Sequence, residues 1–184
     1  MAGTQREHAE PSIVWMVPAI PIPDEPFVGD ERTMLESFLD RHRVSLLSRC
    51  AGLTAEQLAQ QAVPPSNLSL LGLIRHVADV ERTWFRQRFL GNSLPSLYVR
   101  PERPDAAFEE VDPSQAPAAV DTLLQEWESC REELRGSSLD DTFASARWGD
   151  MSLRWVYLHM MGEYAGHNGH ADLLRERIDG KTGW

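Results

Sequence analysis

Proline cannot sit inside a helix, because it lacks the backbone N–H and its ring clashes with the preceding turn. In this chain eleven of the twelve prolines gather in three places: Pro11, Pro18, Pro21, Pro23 and Pro26 near the start, Pro64 with Pro65, and Pro95, Pro101, Pro104 and Pro113. Between and after them, apolar residues recur at three- and four-residue spacing, as they do on a helix that buries one face. The first such stretch runs from Asp30 to Cys50, striped by Leu35, Phe38, Leu39, Leu46 and Cys50. A second, Asn67 to Leu90, carries Leu70, Leu73, Val77, Val80 and Trp84, and Gly91-Asn92 stops it. A third, Ser114 to Arg135, carries Val120, Leu123, Leu124, Trp127 and Leu134. The last, Ser152 to Ile178, is marked by Leu153, Val156, Met160, Tyr164, Ala171, Leu174 and Ile178, with Gly180 as its stop.

Thr54 and Gln57 form a capping-box pattern that opens a further short helix. No stretch alternates convincingly as a strand, so the expected fold is an all-α four-helix bundle over residues 30–180. Residues 1–29 are expected as an extended proline-rich arm lying on the domain or on a partner subunit, its first ten residues loose. Residues 181–184 form a tail.

A formal net charge of −10, from 28 acidic against 18 basic side chains, argues against nucleic acid, whose binding depends on neutralising phosphates. Arg41-His42-Arg43 and the arginines from Arg82 to Arg88 read as solvated helix faces. Cys50 and Cys130 have no C-x-x-C partner, which points to buried free thiols in a reducing compartment. With no secretory signal and no apolar run of about 18 residues, the chain is expected to be cytoplasmic and without a membrane partner.

The chemistry-bearing residues are His76 on the second helix and His159, Glu163, His167 and His170 on the last. At about 100° per residue, His167 falls near the middle of the stripe set by Met160, Tyr164, Ala171 and Leu174, and Glu163 lies about 40° away. His159 and His170 fall about 60–80° to the flank. An inward carboxylate is costly unless paired or bound to a cation. Glu163 and His167, one turn apart, offer lone pairs to one point, and His76 can add a third ligand from the facing helix. Asp79 is placed to orient the His76 ring.

The competing reading is that an inward histidine is simply a satisfied core residue, and His42, also mid-stripe, illustrates it. His8 has no role. Serine and cysteine hydrolases are disfavoured: there is no G-x-S-x-G, no glycine-rich phosphate loop and no histidine beside either cysteine.

Two long stretches, Val63–Phe85 and Ser152–Gly180, together with Gly29–Leu35 and Phe38–His42, resemble the DinB/YfiT-like superfamily, specifically its actinobacterial mini-circle protein branch. The resemblance covers residues 28–180. It implies a three-ligand divalent metal site with one histidine from the second helix and an H-x-x-x-H pair from the last. On this chain His76 matches the first ligand and His167 the last, while Glu163 stands where the middle histidine is usual.

Some relatives are S-transferases that join mycothiol or bacillithiol to an electrophile. The resemblance therefore implies a small-molecule thiol and an electrophile as partners, mycothiol as cosubstrate, and a divalent metal: zinc foremost, with nickel, manganese or iron as alternatives. It further implies His170 or His159 as proton acceptor, with Tyr164, Trp84 and Trp155 walling an apolar pocket. A homodimer is a further expectation. The alternatives are a non-catalytic metal-binding or stress protein and a metal-assisted hydrolase or isomerase.

Overall fold

The computed structural model describes residues 14–182. The earliest part of the arm, with Pro11 and Ile13, and the end of the tail lie outside the described residues. Helix α1 spans Glu31–Cys50, α2 Ala55–Ala59, α3 Leu70–Glu81, α4 Ala106–Glu109, α5 Ala116–Glu133 and α6 Leu153–Asp179. Helix α1 packs chiefly along α6, and α3 along α5. Their inner faces share one core that includes Leu39, Leu46, Leu73, Val77, Leu123, Val156 and Met160.

The helix ends follow from short-range chemistry. The Asp30 carboxylate accepts the Thr33 N–H at 3.0 Å, and the Ser69 hydroxyl accepts that of Gly72 at 3.0 Å. Ser152 caps α6 by accepting the Trp155 N–H at 3.2 Å, and Thr54 with Gln57 completes the capping box. Each such side chain satisfies an amide that the first turn leaves without a helical partner. Gly180 closes α6 at φ 77°, the left-handed conformation that glycine adopts without a Cβ penalty.

Four sequence expectations need correction. After Glu81 the second long helix continues to Phe89 as a π-helix, in which the Leu90 N–H reaches back five residues to the Phe85 carbonyl. The segment after Gly136 is not strand-free: β1 (Thr142–Ser145) pairs antiparallel with β2 (Gly149–Ser152), with Phe143 opposite Met151. The loop after Gly91 contains α4. Phe38 lies off the buried stripe, 46% exposed on α1, because the stripe's inward positions there are taken by Leu39, Arg43 and Leu46.

Residues 14–29 form no helix, and Met16 makes an antiparallel bridge to Thr54. The Val17 N–H donates to the Leu53 carbonyl at 3.1 Å and the Gly52 N–H to the Val17 carbonyl at 2.9 Å, which pins the arm beside the α1–α2 turn. Val17 is buried there, and Trp15 and Ile20 pack on the core.

A charged network ties the four long helices together. Arg43 of α1 donates to both carboxylate oxygens of Glu81 on α3, at 2.7 and 2.6 Å. The Tyr164 hydroxyl of α6 donates to the same carboxylate at 2.8 Å, and Trp127 of α5 donates to that hydroxyl at 2.9 Å. Glu81 and Tyr164 are fully buried. Such a pair tolerates burial only because every polar atom is matched.

Candidate metal centre

Helices α3 and α6 lie against each other, and their facing flanks carry the titratable cluster. His76 projects from α3; Glu163 and His167, one turn apart, project from α6. One ligand atom from each of these three lies within 4.8 Å of the other two, and this is the only such group of three or more among the described residues. Glu163 Oε2 is 3.9 Å from His76 Nε2 and 3.7 Å from His167 Nε2. The other oxygen, Oε1, is 3.6 Å from His159 Nε2. His159 thus borders the cluster from the far side of the carboxylate. His170 is exposed, with its Nδ1 3.4 Å from His167 Nδ1.

The cluster sits at the margin of the core, where Glu163 keeps 30% of its side chain exposed. The expectation that His167 occupies the middle of the buried stripe is corrected. Tyr164, Asn168, Ala171 and Arg175 are buried on α6, and His167 flanks them toward α3. Two of those residues are polar and escape an apolar count. Arg175 is buried because it donates to the Arg49 and Ala51 carbonyls at 2.8 and 2.9 Å, capping the end of α1. Asn168 donates to the His42 carbonyl at 3.1 Å. His42 itself meets Asn168 and Phe38, and burial holds its pKa below the ordinary imidazole value.

Asp79 does not orient His76. Its carboxylate instead accepts the N–H groups of Leu97, Tyr98 and Val99 at 2.6, 2.9 and 3.0 Å, fastening the long loop to α3. The His76 ring is held by Phe108 of α4, with centroids 4.9 Å apart, and meets the His167 ring edge-on at 4.7 Å. Tyr164 is fully buried, and its hydroxyl donates to Glu81. Both cysteines are buried and free, and burial pushes the Cys50 thiol up to about 12.

The donor set has an electrostatic consequence. A carboxylate and neutral imidazole nitrogens are all acceptors at their lone pairs, so converging them costs energy unless a proton or cation is shared. The ion pairs of Glu163 among the described residues are with three histidines, and no arginine or lysine joins them. His167 and then His76 hold the Glu163 carboxyl well below the usual carboxylate range, against its partial burial. The carboxylate is therefore ionised at neutral pH. Tetrahedral zinc with bonds of about 2.0–2.2 Å sets its ligands about 3.4 Å apart. The 3.7 and 3.9 Å separations from Glu163 need a few tenths of an ångström of closure, and the two imidazoles, within 4.8 Å of each other, must also draw together. These residues fit a divalent cation.

On the other side of His159 lies an aromatic cleft. The His159 ring stacks on Trp155 at 4.9 Å and 9°, and touches Trp84 at 4.3 Å. Trp148, in the turn between β1 and β2, stacks on Trp84 at 6.0 Å. Trp84 and Trp155 stand where a pocket wall is expected. The sequence does not mark Trp148 for that role, because its neighbours Gly149-Asp150 signal only a turn, with Gly149 at φ 78°.

A helical bundle whose helices converge a glutamate and histidines at a half-open groove defines a class that includes metal-site bundles. A family model described as mycothiol S-transferase matches residues 34–180, and the chain belongs to that DinB/YfiT-like family. The match spans α3 and α6 entire and so includes all five residues of the cluster. No curated protein matches the chain. No helix among the described residues is long and apolar enough to cross a membrane.

Proposed function

We propose that this protein is a divalent-metal-dependent S-transferase that joins a mycothiol-type thiol to a small electrophile in the cytoplasm. The observation that carries the reading is the convergence of Glu163, His76 and His167 on one point, with no arginine or lysine among the described residues paired to Glu163. Membership in the mycothiol S-transferase family supports the thiol. His76, Glu163 and His167 would hold the cation, zinc foremost, which leaves a coordination position for a fourth group. When bound, such a cation lowers the pKa of an adjacent thiol, so that its sulfur is nucleophilic at neutral pH.

The chain's own groups do the rest. His159 lies between the cluster and the aromatic cleft, and burial keeps its pKa below the ordinary imidazole value although Glu163 opposes this. A neutral imidazole there accepts the thiol proton. The sulfur forms a bond to the electrophilic carbon, and the leaving group departs with its electron pair. His170 meets the Nδ1 face of His167 and fixes the orientation in which Nε2 turns toward Glu163.

The test is metal analysis of the purified protein beside a variant carrying His76→Ala, Glu163→Ala and His167→Ala, with turnover of mycothiol and monobromobimane measured on both. About one equivalent of metal and thiol-dependent turnover in the native chain alone is expected. Full metal content in the triple variant would refute the site. A loaded native protein that leaves mycothiol unreacted refutes the transferase.

A further inference from the structure

We propose that the cleft formed by Trp84, Trp148 and Trp155 beside His159 is a binding site for a flat, uncharged aromatic ring. In the transfer reaction it seats the electrophile, a role that rests on the function proposed above. Three observations carry it.

The first is shape and lining. The cleft encloses about 570 Å³, with Met151 as its aliphatic side chain and the three indoles and His159 as its rings. That volume falls within the usual range for small-ligand sites. Trp84 meets Trp155 at 5.3 Å and Trp148 at 6.0 Å, so the rings form a continuous wall. An aliphatic lining would accept any apolar shape; indole faces favour a planar partner that stacks.

The second is exposure. Trp148 is 51% and Trp155 41% exposed, although both touch a Trp84 that is itself buried. A protein gains nothing by leaving two adjoining indoles wet, and contiguous apolar surface of this kind marks a ligand or partner site.

The third is charge. The Arg88 guanidinium lies 4.1 Å from the Trp84 ring and Arg147 4.9 Å from that of Trp148. The protein's own cations thus already use the π faces that would attract a cationic ligand. On the inner side Asp150 lines the cleft, and Glu163 stands 3.6 Å behind His159, so two carboxylates offset the two guanidiniums and the surroundings favour neither an anion nor a cation. A neutral ring is what remains. His159 lines the same cleft and its Nε2 lies 3.6 Å from Glu163 Oε1, so that imidazole is what separates a ring held there from the cluster.

The experiment is equilibrium dialysis of the full chain against 1,3-dinitrobenzene, a flat neutral ring without a leaving group. Benzoate serves as the anionic probe and cyclohexanol as the puckered one. Saturable binding of dinitrobenzene at one equivalent is expected, at least ten-fold tighter than either other probe. Trp148→Leu and Trp155→Leu should each weaken it about ten-fold, in line with one lost stacking face. Both positions are exposed, so the variants should retain native helical circular dichroism and metal content. Unchanged affinity in both variants overturns the proposal, as does benzoate or cyclohexanol binding equally well. Dinitrobenzene binding is measured without thiol and in Glu163→Gln as well. Ring binding without transfer then sinks only the transferase reading, and transfer without ring binding sinks only this one.

Discussion

Two glutamates of this bundle meet the same helices under opposite terms. Glu81 is fully buried, clasped by both arms of Arg43 and by the Tyr164 hydroxyl. Glu163 faces His76, His159 and His167 across gaps of 3.6–3.9 Å and keeps one side open to solvent. The first carboxylate brings its cation with it in the fold and is finished when the chain is folded. The second is surrounded by groups that can give up or share a proton, and it is left for something to be added. Burial alone does not separate a structural acid from a functional one; the permanence of the neighbouring charge does.

The largest effect that would sharpen this contrast is on turnover. Glu163→Gln keeps the shape but removes the charge, and should lower kcat/KM by about a thousand-fold, the several kcal/mol that a metal contributes to charge stabilisation. Its urea midpoint should stay near native. A variant that unfolds instead would make Glu163 a second Glu81 and break the comparison.

Next in size, Glu81→Ala strands Arg43 in the core and should cost about 3–5 kcal/mol of stability in urea denaturation. The fraction that remains folded should still bind metal. Smallest is His170→Ala, which should weaken metal affinity by about 10- to 100-fold, read by competition with a chromophoric chelator. An unchanged affinity would leave His170 without a part in orienting His167.

The sequence makes some of this plain and hides the rest for identifiable reasons. Helices α1, α3, α5 and α6 are legible because an apolar residue every third or fourth position leaves few other folds open, and Ser152 and Gly180 mark the ends of α6, as Thr54 marks the start of α2, through local bonds. His76, Glu163 and His167 are legible as a set because spacing of four on α6 shares a face. The true centre of that face is not. Asn168 and Arg175 are buried by bonding main-chain carbonyls of α1, a reason for burial that hydropathy does not record. The same holds for Asp79, whose three amide partners lie about twenty residues away in the loop. The hairpin is hidden by its brevity: four-residue strands give too few alternations to register.

The π-helical stretch has one more consequence. A helix that closes each bond over five residues advances its side chains out of step with the turns before it. Positions beyond Glu81 therefore answer to a different set of neighbours than a simple continuation of α3 would give them. Within this stretch Arg82 and Arg86 both hold Glu126 of α5, at 2.5 and 3.0 Å, while Trp84 between them faces His159 of α6. One continuous rod thus grips two partners on opposite sides, and removing a single residue from it would force a choice between them.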